Sequence, residues 1–130
     1  MVIDPNTELG KRTLERLNDE IVIWLTTVDA NDTPQPRPVW FLWQDESILI
    51  YSKPTSAKLK HIAQHPNVAL NFNGDQFGDD IQVIIGEAIV DDNAPAVDAN
   101  TAYREKYNEH ISGIGLTPES MGAAYSAAIV

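Results

Sequence analysis

Lys53, Lys58 and Lys60 stand within eight residues of one another, in a chain whose 19 acidic and 9 basic residues leave a formal charge of −10. From Ser47 to Gly74 there is no Asp or Glu, where the chain's mean composition would place about four. The hydroxyls of Ser52, Thr55 and Ser56 lie among these lysines. A helix beginning near Thr55 or Ser56 would put Lys58 in its first turn. The helix macrodipole disfavours a base there, by a few tenths of a kcal/mol up to about 1. Unpaired N–H groups at a helix start, with hydroxyl and ammonium groups beside them, form an anion site. Lys58 therefore reads as part of a site for a small anionic ligand, with Arg37 reaching it from a preceding strand. The plain alternative, a solvated helix face, suits Lys60 but does not account for the missing acids.

Other residue patterns carry less chemistry. His61 and His65 are one helical turn apart, a spacing that can hold a metal. HIAQH lacks the glutamate of the zinc-protease motif and no third ligand suggests itself, so no metal is expected. DQFGDD and DDNAP are acidic but lack EF-hand spacing. No nucleophile elbow, Walker loop or dinucleotide-binding glycine fingerprint is present. Trp24, Trp40 and Trp43 read mainly as core residues that a ligand could also stack on.

Composition bounds the rest. A chain of 130 residues, 43% of them hydrophobic, suits one domain with a packed core. The absence of cysteine rules out disulfides, thiol redox chemistry and cysteine-ligated zinc. The acidity argues against nucleic acid as a partner, since that binding rests on neutralising many phosphates. The start MVIDPNTELGKR is unlike a secretory signal, and no apolar run reaches the ~18 residues of a membrane span, so a cytoplasmic location is expected.

The elements that must position the lysines follow from periodicity. Thr7 to Glu20 predicts a helix, with Asn6 or Thr7 as cap and Leu14, Leu17 and Ile21 on one face. Ile21–Val28, Pro36–Trp43 and Ile48–Tyr51 predict strands joined by short turns, hence an antiparallel meander. A helix of about ten residues follows, with Leu59, Ile62 and Ala63 inward and Pro66 as its stop. Val68–Asn73 and a long Ile81–Val90 predict strands, the second with both faces apolar. A helix is predicted from about Ala94 to His110, then a glycine-broken loop and the start of a last strand. Short helices beside strands, without βαβ alternation, point to a mainly β (α+β) domain, a small β-barrel with helices outside.

At R-P-V-W (Arg37 to Trp40), Y-S (Tyr51, Ser52), T-S-A-K-L-K-H-I-A-Q-H-P (Thr55 to Pro66) and G-E-A (Gly86 to Ala88), the sequence resembles the pyridoxamine 5'-phosphate oxidase-like split β-barrel family. It is most similar to the subgroup of oxidoreductases that use the deazaflavin coenzyme F420. The resemblance covers about Leu14 to Val90. It implies an FMN-binding-like split barrel with short flanking helices, and a homodimer whose cofactor, F420 or FMN, lies between subunits. Arg37, Ser52, Ser56 and Lys58 match the family's phosphate-binding positions, with Lys53 and Thr55 beside them in the same basic island, and Val39 and Trp40 would sit near the ring. It further implies hydride transfer between cofactor and a small substrate with no catalytic acid–base pair, or alternatively a flavin carrier or sensor without catalysis. Two departures stand out. Ala57 replaces the arginine that often precedes the lysine in FMN oxidases, and the chain stops at Val130 where relatives usually continue with a basic segment. The expectation is one domain over residues 1–130 that lacks the end of its last strand.

Overall fold

The computed structural model of the chain describes residues 3–130. Helix α1 (Glu8–Asp19) begins where the Thr7 side chain accepts the Gly10 N–H, satisfying one donor of the first turn. Its inner face buries Thr13, Arg16 and Leu17. Arg16 is buried yet satisfied: it donates to Asp80 O at 2.7 Å, Asn73 O at 2.6 Å and Glu20 Oε1 at 2.9 Å. The segment ahead of the sixth strand is thereby fastened to α1.

Strand β1 (Val22–Val28) buries alternate residues Ile23, Leu25 and Thr27, as a strand with one face on the core must. It pairs antiparallel with β2 (Pro34–Trp40) from Val22↔Trp40 to Val28↔Pro34. Pro34, Pro36 and Pro38 take alternate positions of β2, so their missing N–H groups all fall on the edge that β1 does not use. On its other side β1 pairs with β5 (Asn67–Asn71), which pairs with β6 (Val83–Glu87), giving the order β2-β1-β5-β6. A second sheet holds β3 (Leu42–Gln44), β4 (Ser47–Ser52) and β7 (Ala127–Ile129). Its hairpin turns on Asp45 and Glu46, both at positive φ (53° and 58°), the two-residue geometry that matches strand twist.

The sheets meet at both ends. Phe41 alone separates β2 from β3, and beyond β6 Ile89 and Val130 exchange backbone hydrogen bonds of 3.0 and 2.9 Å. Val90 also bridges Ile129. The strands thus close a split β-barrel, the expected fold. Its core contains Ile23, Leu25, Ile50, Leu70, Phe72 and Ile129. A second cluster, including Tyr51, Val97, Tyr103, Tyr107 and Met121, lies under helices α3 (Thr101–Gly113) and α4 (Pro118–Ala124). Among the described residues no helix is long and apolar enough to cross a membrane.

Several boundaries differ from the sequence reading. The predicted strand 36–43 breaks at Phe41 because its N–H pairs with the Tyr107 hydroxyl (2.8 Å) and its carbonyl accepts from Lys106 Nζ (2.8 Å). Helix 94–110 begins late, after a one-turn helix at Val97–Ala99. Helix α4 was not predicted, although Pro118 at its start and the reciprocal Thr117–Ser120 capping box are both readable start signals. Ala63 is exposed, not inward. The long strand 81–90 is cut to β6 plus the Val90 bridge, and its residues Val83 and Ile85 are 60% and 72% exposed.

Candidate functional site

The hairpin-forming strands and α2 (Ala57–Gln64) build two adjoining clefts that share Pro38, Ser56 and Lys58. Ser56 is the N-cap of α2, so Lys58 falls in the first turn, as the sequence implied. The Ser56 side chain makes no capping bond; its Oγ instead accepts from Lys58 Nζ at 3.0 Å. Helix α2 is anchored by buried Ile62 and by a 2.9 Å bond between His61 Nδ1 and the buried hydroxyl of Thr27. That bond engages Nδ1 of His61, and no group of three His, Asp or Glu among the described residues is arranged to hold a metal.

The narrower cleft, about 250 Å³, brings Arg37 to the start of α2, beside Thr27, Gln35, Ser56, Lys58 and His61. Arg37 bonds only to its own strand, to Pro36 O at 2.7 Å and Gln35 Oε1 at 3.3 Å. Neither Arg37 nor Lys58 forms an ion pair with a carboxylate among the described residues. Partial burial pushes the Lys58 ammonium below its ordinary pKa, and the nearby Arg37 charge pushes it further the same way. Two cations and a helix start facing one space are electrostatically unfavourable unless an anion enters it.

The wider cleft, about 450 Å³, continues from Lys58 over an aromatic floor. Val39, Trp40, Ser52, Lys53, Ser56 and Lys58 line it, together with Val22, Tyr51, Tyr103, Met121 and Tyr125. Trp40 stacks on Tyr107 with ring centroids 4.7 Å apart and planes 8° from parallel. Lys53 Nζ sits 5.6 Å from the Tyr125 ring centroid. Buried Ser52 turns its hydroxyl to Lys53 O at 3.1 Å. Helix α4 brings Met121 and Tyr125 to this wall.

Of the residues singled out from sequence, Arg37, Val39, Trp40, Ser52, Lys53, Ser56 and Lys58 all line one or other cleft. Thr55 does not; it is exposed in the turn ahead of Ser56 and borders neither cleft. The sequence reading missed Tyr51, Tyr103, Met121 and Tyr125 as lining residues. Tyr103 and Tyr107 fall within the predicted helix 94–110, and nothing in their type or spacing marks them as lining residues. Tyr103 has the least expected environment. It is fully buried, and its hydroxyl has no hydrogen-bond partner among the described residues, at a typical cost of about 1–3 kcal/mol.

With this geometry in place, comparison with known proteins identifies the family. The family model described as pyridoxamine 5'-phosphate oxidase matches residues 9–130. The chain belongs to the pyridoxamine 5'-phosphate oxidase family. A search of curated protein sequences finds no match. Among solved structures, a conserved hypothetical protein of Mycobacterium tuberculosis is 17% identical with a TM-score of 0.69, over 95% of this chain and 77% of that one. An F420 reductase is 23% identical with a TM-score of 0.61, over 88% and 86%. The heme storage protein HutZ of Vibrio cholerae is 12% identical with a TM-score of 0.62, over 95% and 87%. At these identities the likeness is one of fold.

Proposed function

We propose that the chain is a flavin- or deazaflavin-dependent oxidoreductase, binding FMN or coenzyme F420 along the two clefts. The observation that carries this reading is the unpaired cation pair Arg37 and Lys58 at the head of an aromatic-lined cleft. Arg37, Lys58, the Ser56 hydroxyl and the first-turn N–H groups of α2 hold the cofactor's phosphate. Val39 and Trp40 border the space for its ring, and Ser52 and Lys53 the space between. When bound, the cofactor supplies hydride chemistry to a small acceptor, so the protein's part is binding, orientation and exclusion of water.

The chain's own residues support this division of work. Lys58 needs a negative partner, and a phosphate supplies one through charge-assisted hydrogen bonds. The wider cleft has no acid in its lining, so nothing there repels an anion or serves as a carboxylate base. A second copy of the chain would cover the open side of the cleft, and the exposed apolar residues of β6 offer it a contact surface.

Titrating the purified chain with FMN and with F420 tests this reading. A dissociation constant in the micromolar range or below for either, lost on replacing Lys58, is the expected result. Turnover of an electron-poor acceptor by the reduced complex then separates an oxidoreductase from a carrier.

A further inference from the structure

The imidazole of His61 lines the narrower cleft with Arg37 and Lys58, and only one of its two nitrogens is engaged. Nδ1 lies 2.9 Å from the hydroxyl of Thr27, a buried residue of β1 that lines the same cleft. That hydroxyl has no other hydrogen-bond partner among the described residues. Were Nδ1 the donor, the Thr27 proton would be buried without an acceptor. Thr27 therefore donates to Nδ1, and the proton of the neutral ring is on Nε2. The two nitrogens face nearly opposite edges of the ring, so anchoring Nδ1 on β1 presents Nε2 to the open side. Nε2 has no partner among the described residues, yet it is not sealed off. Among those residues the one buried unpartnered side-chain atom is the Tyr103 hydroxyl, so Nε2 of half-buried His61 is within reach of solvent. The neighbouring carboxylate does not claim it. Asp29 is taken up by the N–H groups of Asn31 and Thr33 and by the Gln35 amide, and it stands outside the cleft lining.

We propose that His61 is a further anion-binding residue of the narrower cleft: with Thr27 fixing its tautomer, its Nε2–H donates to the ligand's phosphate beside Arg37, Ser56 and Lys58. This rests on the cofactor reading above and deepens it, giving the phosphate a neutral and oriented donor. Arg37 and Lys58 supply charge that any anion feels. A fixed N–H adds direction, favouring an oxygen placed in line with it. Thr27 acts through His61 and is a positioning residue.

Two substitutions separate the two nitrogens. The amide of asparagine overlays Nδ1 of histidine, so His61→Asn keeps the Thr27 bond and loses the Nε2 donor. The longer glutamine places its amide near Nε2, so His61→Gln does the reverse. We expect His61→Asn to melt close to wild type and His61→Gln to melt lower. Affinity for FMN or F420, whichever wild type binds, should run the other way. It should fall about tenfold in His61→Asn and stay within about threefold of wild type in His61→Gln. A purely structural histidine would give both losses to His61→Gln. That result, equal affinity in all three proteins, or failure of His61→Asn to fold overturns the proposal while the cofactor reading stands. If wild type binds neither cofactor, that reading fails, and inorganic phosphate becomes the probe for the same three proteins. The same order of affinities upholds the His61 donor; any other order, or no phosphate binding, overturns it.

Discussion

Arg37 on β2 and Lys58 in the first turn of α2 line a single cleft, and neither is neutralised by a carboxylate among the described residues. The pair opposes folding mildly and favours an anion, so its removal should separate stability from binding. For Lys58→Ala we expect cofactor affinity to drop by about 1.5–3 kcal/mol, the range for a charge-assisted bond. The melting temperature of the ligand-free protein should hold or rise. Raising salt should weaken wild-type binding more than that of the variant.

Binding should also depend on pH through Lys58. Its pKa in the free protein is depressed from 10.5 by burial and by Arg37, and a bound phosphate would raise it again. The complex therefore binds more protons than the free protein in the alkaline range. Affinity should be greatest below the free Lys58 pKa and fall as pH rises through it. Calorimetry in buffers of differing ionisation enthalpy should show proton uptake on binding, and Lys58→Ala should abolish it.

Lys106 gives a stability signature away from the site. Its ammonium lies 3.7 Å from the centroid of the Phe41 ring and donates to Phe41 O, while burial lowers its pKa to about 8. Between about 8 and the ordinary 10.5 the unfolded chain binds more protons than the folded one. This group thus adds to stability as pH rises through that window and penalises folding below it. Denaturant unfolding of wild type should gain stability over that range relative to Lys106→Met.

The exposed face of β6 adds support to the dimer proposal. Ile81, Val83, Ile85 and Ile89 are each about 60–70% exposed and follow one another at spacings of two and four, so they lie on one face of that segment. We expect a two-fold homodimer that buries this face, and sedimentation at micromolar concentration should show it. Ile85→Asp should shift the chain toward monomer with its barrel intact, and weaken cofactor binding if the partner covers the cleft. A wild-type monomer would contradict this.

Much of the fold and part of the site could be read from local chemistry. Thr7 as a cap, the alternation of β1 and the prolines of β2 act within a few residues of themselves, so the sequence shows them. Lys58 was legible for the same reason: its conflict is with its own helix. Phe41 was not, because the groups that break its strand come from Tyr107 and Lys106, 66 and 65 residues away. Tyr103 gives no local sign of its unpartnered hydroxyl, since an absent partner is a property of packing. Thr55 matched its neighbours in type, but the turn before Ser56 carries it away from both clefts. The exposure of one face of β6 was not legible, because a strand apolar on both sides looks the same in sequence whether or not its second face meets the core.

The central claim is that the Arg37–Lys58 cleft holds the phosphate of a flavin-type cofactor. The most direct measurement is equilibrium titration of the wild-type chain and of Lys58→Ala with FMN and with F420, followed by their absorbance and fluorescence. We expect saturable one-to-one binding of one of the two per chain, weakened about tenfold to a hundredfold or more in the variant. Equal affinity in both proteins, or no binding of either cofactor by wild type, would contradict the account.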